Sequence, residues 1–282
     1  MIALVTHPAR IQPVLASVPY DRWITPEGEV KAEFHRLPDG YLLRFPDEAD
    51  FAINLERGIA TGWPAPETLP DHFRSLFNHG VVPLVGNHGG GLFLHGSAVM
   101  VNGRAIAFLG LSRGGKTTLA GAFAKAGHPF LTEDVIDLVV SDGCFWLQPK
   151  PSNLRLFSDS AAYLLGREFS DADEDDKMSL DDADALPFHP AACPLERIYL
   201  LGADHAAPLA ISPLLGPAAL TQLLPHSFVL DVEDKQRLSL HFCRIAELAE
   251  AVVCRALDYP REYGELPRVL SAVLADVNAT RD

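Results

Sequence analysis

The chain has 282 residues, 48% hydrophobic and 21% charged, which suits one large domain or two modest ones and is too apolar for disorder throughout. Its formal net charge of −14 argues against a broad nucleic-acid surface, which needs clustered Lys and Arg to displace counterions. It also disfavours an acidic membrane surface, so a basic partner or none fits better.

The opening stretch MIALVTHPARIQP has no apolar core long enough for a signal peptide. Residues 1–88 read as a β-rich region. EFHRLPDGYLLRF places a Pro-Asp-Gly turn between two short strands, and ADFAINLERGIATGW continues the alternation. PETLPDHFRSLFNHGVVPLV predicts a helix entered through Pro and acidic residues. No chemistry is evident in this region.

A core over residues 89–205 follows. Gly89–Gly91 precede a strand rather than a helix, so they read as a flexible turn and not as a phosphate cradle. Asn102-Gly103 between LFLHGSAVMV and RAIAFLGL signals a type I′ hairpin. The second arm feeds GLSRGGKT, residues 110–117, which satisfies G-x-x-x-x-G-K-[ST] with an apolar strand before it and the helix TTLAGAFAKAG after it. Backbone N–H groups in such a loop curl around phosphate oxygens, and the helix N-terminus adds partial positive charge. Gly110, Ser112, Arg113, Gly114, Gly115, Lys116, Thr117 and Thr118 are therefore the expected nucleotide-binding residues. Lys116 would reach the β- and γ-phosphates, and the Thr117 hydroxyl would ligate Mg²⁺.

Arg113 stands where a glycine is common, with Gly114 after it. It must hold an ordinary conformation or carry roughly 1 kcal/mol of strain. It either points to solvent or curls back toward the γ-phosphate or an acidic partner. Glu133 and Asp134 follow Lys116 by one helix and a tight turn, which would return them beside the phosphates in a βαβ crossover. Successive strand residues face opposite sides, so only one would face the nucleotide unless the strand ends or bulges there. A carboxylate in that place can hold the metal or accept the proton of an attacking hydroxyl; Asp134 is the expected metal ligand. His95 lies on the strand paired with the one leading into the loop.

HPFLTEDVIDLVV, GCFWLQ and LERIYLLGA read as strands and SDSAAYLLG as a short helix. Residues 170–186 form an acidic segment whose only base is Lys177; it suits a solvated loop or a lid over an acceptor. The apolar run 206–225 contains Pro208, Pro213, Pro217 and Pro225 and would not span a bilayer. It reads as loop plus a short buried helix. The remainder of 206–282 is mainly helical in period. Cys144, Cys193, Cys243 and Cys254 form no C-x-x-C pair and read as reduced thiols. A soluble, cytoplasmic protein with no membrane or nucleic-acid partner is expected.

The stretches LHGSAVMVNGRAIAFLGLSRGGKTTLA and AGHPFLTEDV resemble the HPr kinase/phosphorylase family, bacterial serine kinases with a core similar to that of phosphoenolpyruvate carboxykinase. His95, Gly110, Gly115, Lys116, Thr117, Gly127, His128, Glu133 and Asp134 fall on the family pattern. The resemblance implies an α/β fold with a P-loop kinase core, a β-rich N-terminal part and a helical C-terminal part. It implies ATP and Mg²⁺ bound by Lys116 and Thr117, a general base within the acidic pair, and His95 close to the transferred phosphate. The chain departs from the pattern in having Glu-Asp for Asp-Asp, Thr118 where Glu is frequent, and Arg-Gly-Gly-Lys for Gly-x-Gly-Lys. The second departure weakens a phosphorylase activity; the first leaves the base open. QPKPSNLRLFSDSAAYLL, DDKMSL, PLERIYLLG and RALDYPREY are similar to the subgroup that includes lasso-peptide tailoring kinases. That implies a peptide or protein serine as acceptor, with Arg155 and Lys177 as candidate acceptor or phosphate contacts, and homo-oligomers as in other HPr kinases. A small-molecule hydroxyl kinase and a nucleotide-binding regulator without transfer chemistry are the alternatives.

Overall fold

The computed structural model describes residues 2–25, 27–150, 155–156, 158–166, 178–179 and 186–279. The chain is a mixed α/β structure that divides into two units, Met1–Gly91 with Phe228–His241 and Leu92–Ser227 with Phe242–Asp282.

In the first unit, alternating apolar and polar residues form β1 (Ala3–Thr6), β2 (Asp21–Ile24), β3 (Val30–Leu37), β4 (Gly40–Phe45), β5 (Ala49–Asn54) and β6 (Ile59–Pro64). They lie in the order β1-β6-β5-β4-β3-β2. The Pro-Asp-Gly turn joins β3 to β4, with Leu37 opposite Gly40. Glycine is needed there, because φ is +147° and a Cβ would stand 2.0 Å from the Ile53 carbonyl oxygen. Phe34, Leu43, Phe51 and Ile53 of the sheet share one core with Phe73, Phe77, Val81 and Leu84. The segment expected as one helix is α1 (Pro70–Leu76), a π-helical turn Phe77–Val81 and α2 (Val82–His88). Pro83 explains the wide turn: it has no N–H to donate to His79, and its ring crowds that carbonyl.

The remaining elements in chain order are β7 (Leu92–Val101), β8 (Arg104–Leu109), α3 (Lys116–Lys125), β9 (Phe130–Thr132), β10 (Val135–Ser141), β11 (Cys144–Gln148), β12 (Arg155–Leu156), α4 (Ser158–Leu165), β13 (Met178–Ser179), β14 (Cys193–Leu201), β15 (Ala210–Leu214), α5 (Pro217–Leu223), α6 (Lys235–Ala251), β16 (Val253–Asp258) and α7 (Leu266–Ala279). The large sheet runs β11-β10-β7-β8-β14-β16-β15, with β9 also on β7. Because β11 pairs with both β10 and the start of β14, the strands β11-β10-β7-β8-β14 close into a ring of pairings.

Asn102 (φ 53°) and Gly103 (φ 77°) make the turn between β7 and β8, with Val101 opposite Arg104. Two positive φ values are what a type I′ hairpin requires. The unbroken apolar run of β8 reflects burial on both faces. Ile106 and Phe108 pack with Leu119 and Phe123 of α3 and Val269 and Val273 of α7. Ala105, Ala107 and Leu109 pack with Leu223 of α5 and Ile245 and Leu248 of α6. The parallel neighbour β14 divides in the same way, Tyr199 and Leu201 against Ile198 and Leu200. α7 is also held by charge: Arg197, 1% exposed, pairs with Asp276, which accepts from the Tyr199 hydroxyl at 2.7 Å and Arg255 Nε at 3.2 Å. Burial acts to raise the Asp276 carboxyl, but these donors hold it below the usual carboxylate range.

Two stretches differ from the sequence reading. Residues 206–282, expected to be mainly helical, also carry β15 and β16. The VVCRALD run is placed between β14 and β15, where ladder partners on both sides and β-branched residues override a helical period. HPFLTEDVIDLVV is two strands, not one, broken at Glu133 and Asp134. Among the described residues no helix is long and apolar enough to cross a membrane, and all four cysteines are free.

Candidate functional site

The residues expected to bind nucleotide lie in the second unit, where β8 ends and α3 begins. Arg113 is exposed and left-handed, with φ 58°, so this position carries the backbone strain that a glycine would avoid. Gly114 is needed for a different reason: a Cβ there would lie 2.9 Å from the Leu111 carbonyl oxygen, to which the Gly114 N–H donates at 3.0 Å. Gly115 has φ +86°, and a Cβ on it would meet the Tyr259 hydroxyl at 3.0 Å. It is the N-cap of α3, and its carbonyl accepts the Leu119 N–H at 2.9 Å. Lys116, 6% exposed, folds back so that Nζ donates to the carbonyls of Gly110 at 2.9 Å and Leu111 at 2.8 Å. Thr117 is buried beside it. The Thr118 hydroxyl shares a hydrogen bond with Ser160 of α4 at 2.9 Å, and Ser160 in turn meets the Tyr263 hydroxyl at 3.2 Å.

Glu133 and Asp134 occupy the bend between β9 and β10, 1% and 8% exposed. Asp134 is left-handed, with φ 60°. The strand ends there, so the alternation that would send the two side chains to opposite faces does not apply. The bend is fixed by the Val135 N–H on the Glu133 carbonyl at 2.7 Å and the Gly96 N–H on the Asp134 carbonyl at 3.1 Å. His95 lies opposite Val135, next to Gly96. On the other edge of β7, Gly96 lies opposite Leu109, the residue before Gly110. The acidic bend and the start of the loop thus flank one strand at one level, about 10 Å apart by two strand spacings.

Two further residues that the sequence did not single out as site residues join this end of the sheet. Ser227 bridges Leu94 in antiparallel sense, which brings His226 to the His95 side of that bridge. Burial, with the Lys116 charge adding to it, pushes the His226 imidazole down to about 4, so it is neutral at neutral pH. Arg261 donates from Nε to the Gly114 carbonyl at 3.1 Å, from Nη1 to Tyr259 at 2.7 Å and from Nη2 to Gly202 at 2.8 Å. Its guanidinium lies 3.7 Å over the Tyr259 ring. Neither position stands at a fixed offset from the loop, so only the fold brings them there.

Arg155 lies on β12, its backbone paired with Ser179 of β13. Lys177 and most of the acidic segment 170–186 lie outside the described residues.

No protein-family model matches the chain, and no curated protein does. Among solved structures, the chain has a weak likeness to the HPr(Ser) kinase/phosphatase from Coxiella burnetii, at 12% identity and a TM-score of 0.36 over 67% of this chain and 97% of that one.

Proposed function

We propose that this protein is an ATP-dependent kinase of the HPr-kinase-like class that transfers the γ-phosphate to a hydroxyl, with a peptide or protein serine as the acceptor. The observation that carries this reading is the buried Glu133–Asp134 bend placed across one strand from the Gly110–Lys116 loop. A glycine loop with positive φ at Gly115 and a buried lysine at the helix entry suits a phosphate chain. Two buried acidic residues whose backbone lies two strand spacings, about 10 Å, from the start of the loop suit proton removal from an attacking hydroxyl.

Lys116 exchanges its bonds to the loop carbonyls for the β- and γ-phosphate oxygens. Glu133 or Asp134 accepts the acceptor hydroxyl's proton as the oxygen attacks phosphorus and the bond to the ADP oxygen breaks. Gly115 and the first turn of α3 present N–H groups to the phosphates, and His95 lies beside the acidic bend.

Mg²⁺ fits the donors on offer. Thr117 Oγ1 and the Asp134 carboxylate would hold it. Such a sparse set is what an ion sharing phosphate oxygens and water needs. When bound, the ion neutralises charge on the β- and γ-phosphate oxygens.

The acceptor class is tested by incubating the protein with ATP, Mg²⁺ and, in separate reactions, serine-containing peptides and free hydroxylated metabolites, then locating phosphate by mass spectrometry. Phosphoserine on a peptide supports the reading. Phosphate on free hydroxylated metabolites but never on peptides would replace it with a small-molecule kinase. ATP binding whose output is unaltered by Glu133→Gln and Asp134→Asn would replace it with a regulator.

A further inference from the structure

Arg261 lies in the RALDYPREY stretch, to which the sequence assigned no chemistry, and its side chain meets three backbone segments. The three acceptors are Gly114 in the loop after β8, Gly202 just beyond β14 and Tyr259 just beyond β16. β8, β14 and β16 are successive parallel neighbours, so one guanidinium ties together the C-terminal ends of three adjacent strands. Ligand sites of parallel sheets lie at those ends. The planar fork of arginine can address three carbonyls in different directions, which the single ammonium of lysine does poorly. The Arg261 backbone is itself fixed, its N–H donating to the His205 carbonyl at 2.9 Å, and the Tyr259 ring supports the guanidinium from below.

The bond to Gly114 has a consequence for the loop. The described chain has no cis peptide bonds, and in a trans peptide the C=O and the following N–H point in opposite directions. Holding the Gly114 carbonyl toward Arg261 therefore turns the Gly115 N–H away from Arg261. Gly115 is the residue whose positive φ begins α3, so its N–H is the first donor of the helix entry. A loop peptide left to rotate freely would point its carbonyl oxygen at an incoming anion in part of its population.

We propose that Arg261 is a positioning residue that locks the Gly114–Gly115 peptide in the orientation needed to donate to a bound phosphate. It acts through the backbone of the loop, not on the reacting atoms. Its use for ATP rests on the functional reading above; its hold on the loop does not.

The test uses the full chain and the variants Arg261→Lys and Arg261→Gln. Amide hydrogen exchange over residues 110–118 is measured without nucleotide, and ATP–Mg²⁺ affinity by calorimetry. Losing a charge-assisted bond should raise loop exchange about tenfold or more while exchange in β8 and β14 stays near wild type, which separates a loosened loop from a failed fold. ATP affinity should fall by a similar factor in Arg261→Gln, and Arg261→Lys should recover only part of it. Wild-type exchange over residues 110–118 in a folded Arg261→Gln protein overturns the proposal, whatever ATP does. If wild-type protein binds no ATP while the loop still loosens in the variant, the positioning role stands and the kinase reading falls.

Discussion

The Gly96 N–H donates to the Asp134 carbonyl at 3.1 Å, and on the opposite edge of β7 the same glycine faces Leu109. One residue without a side chain therefore sets the spacing between the acidic bend and the loop. A Cβ at Gly96 would meet the Phe108 carbonyl oxygen at 2.7 Å and Ile136 Cδ1 at 2.8 Å. Gly96→Ala should cost about 1–3 kcal/mol by overpacking and reduce phosphate transfer by moving the bend. Thermal denaturation and a transfer assay read the two effects; full transfer in the folded variant would separate that spacing from catalysis.

The two carboxylates can be told apart by amide substitution, which keeps shape and removes the base. Whichever of Glu133→Gln and Asp134→Asn replaces the general base should lose about 10²–10⁴ in kcat with little change in ATP affinity. The variant that removes a metal ligand should instead raise the Mg²⁺ concentration needed for half-maximal rate. Titrating Mg²⁺ against rate for both variants makes the assignment. Equal, wild-type behaviour of both would remove the bend from the chemistry.

Arg113 sits at φ 58°, a conformation that costs L residues about 1–2 kcal/mol and β-branched ones most. Arg113→Val should lower stability by about 1 kcal/mol. Arg113→Gly should hold or slightly raise it, the relief of strain being partly offset by glycine's chain entropy. Denaturant midpoints of the two variants decide this; equal losses in both would point to the arginine side chain and not to the backbone.

Asp276 gives the chain an acid-sensitive anchor. Burial raises its carboxyl, the bonds from Tyr199 and Arg197 lower it, and the net position is below the ordinary 3.8. A carboxyl lower in the folded state than in the unfolded one contributes stability that is fully present above about pH 4 and disappears as pH falls through the folded-state value. Asp276→Asn should therefore be less stable than wild type at neutral pH, by about 3 kcal/mol where buried Arg197 loses its partner charge. The gap between the two proteins should close in acid. Urea unfolding across pH 2 to 7 checks the sign; a gap that widens in acid would contradict it.

Much of the local structure was legible in the chain. GLSRGGKT with a strand before and a helix after placed the loop, Asn102-Gly103 placed the hairpin, and Glu133-Asp134 was singled out by its distance from Lys116. The limits lay where long-range pairing decides. VVCRALD is compatible with a helix until β14 and β15 supply ladders on both sides. At Glu133 and Asp134 the sequence left two outcomes open, alternation or a strand that ends, and the structure takes the second: Asp134 adopts a left-handed conformation that closes the strand, which its short polar side chain tolerates. His226 and Arg261 reach the loop from more than 100 residues away in sequence, through a single bridge and three backbone carbonyls, and no spacing rule connects them to it.

The central assignment is that Lys116 and the loop before it hold the phosphates of ATP while the acidic bend activates an acceptor. The most direct measurement is transfer of labelled γ-phosphate from ATP by wild-type protein and by Lys116→Ala, with the fold of both checked by thermal denaturation. Wild type should transfer label, and the folded variant should lose about 10²–10³ in rate, as expected for removal of one charge that stabilises the transition state. Full turnover by Lys116→Ala would contradict the assignment.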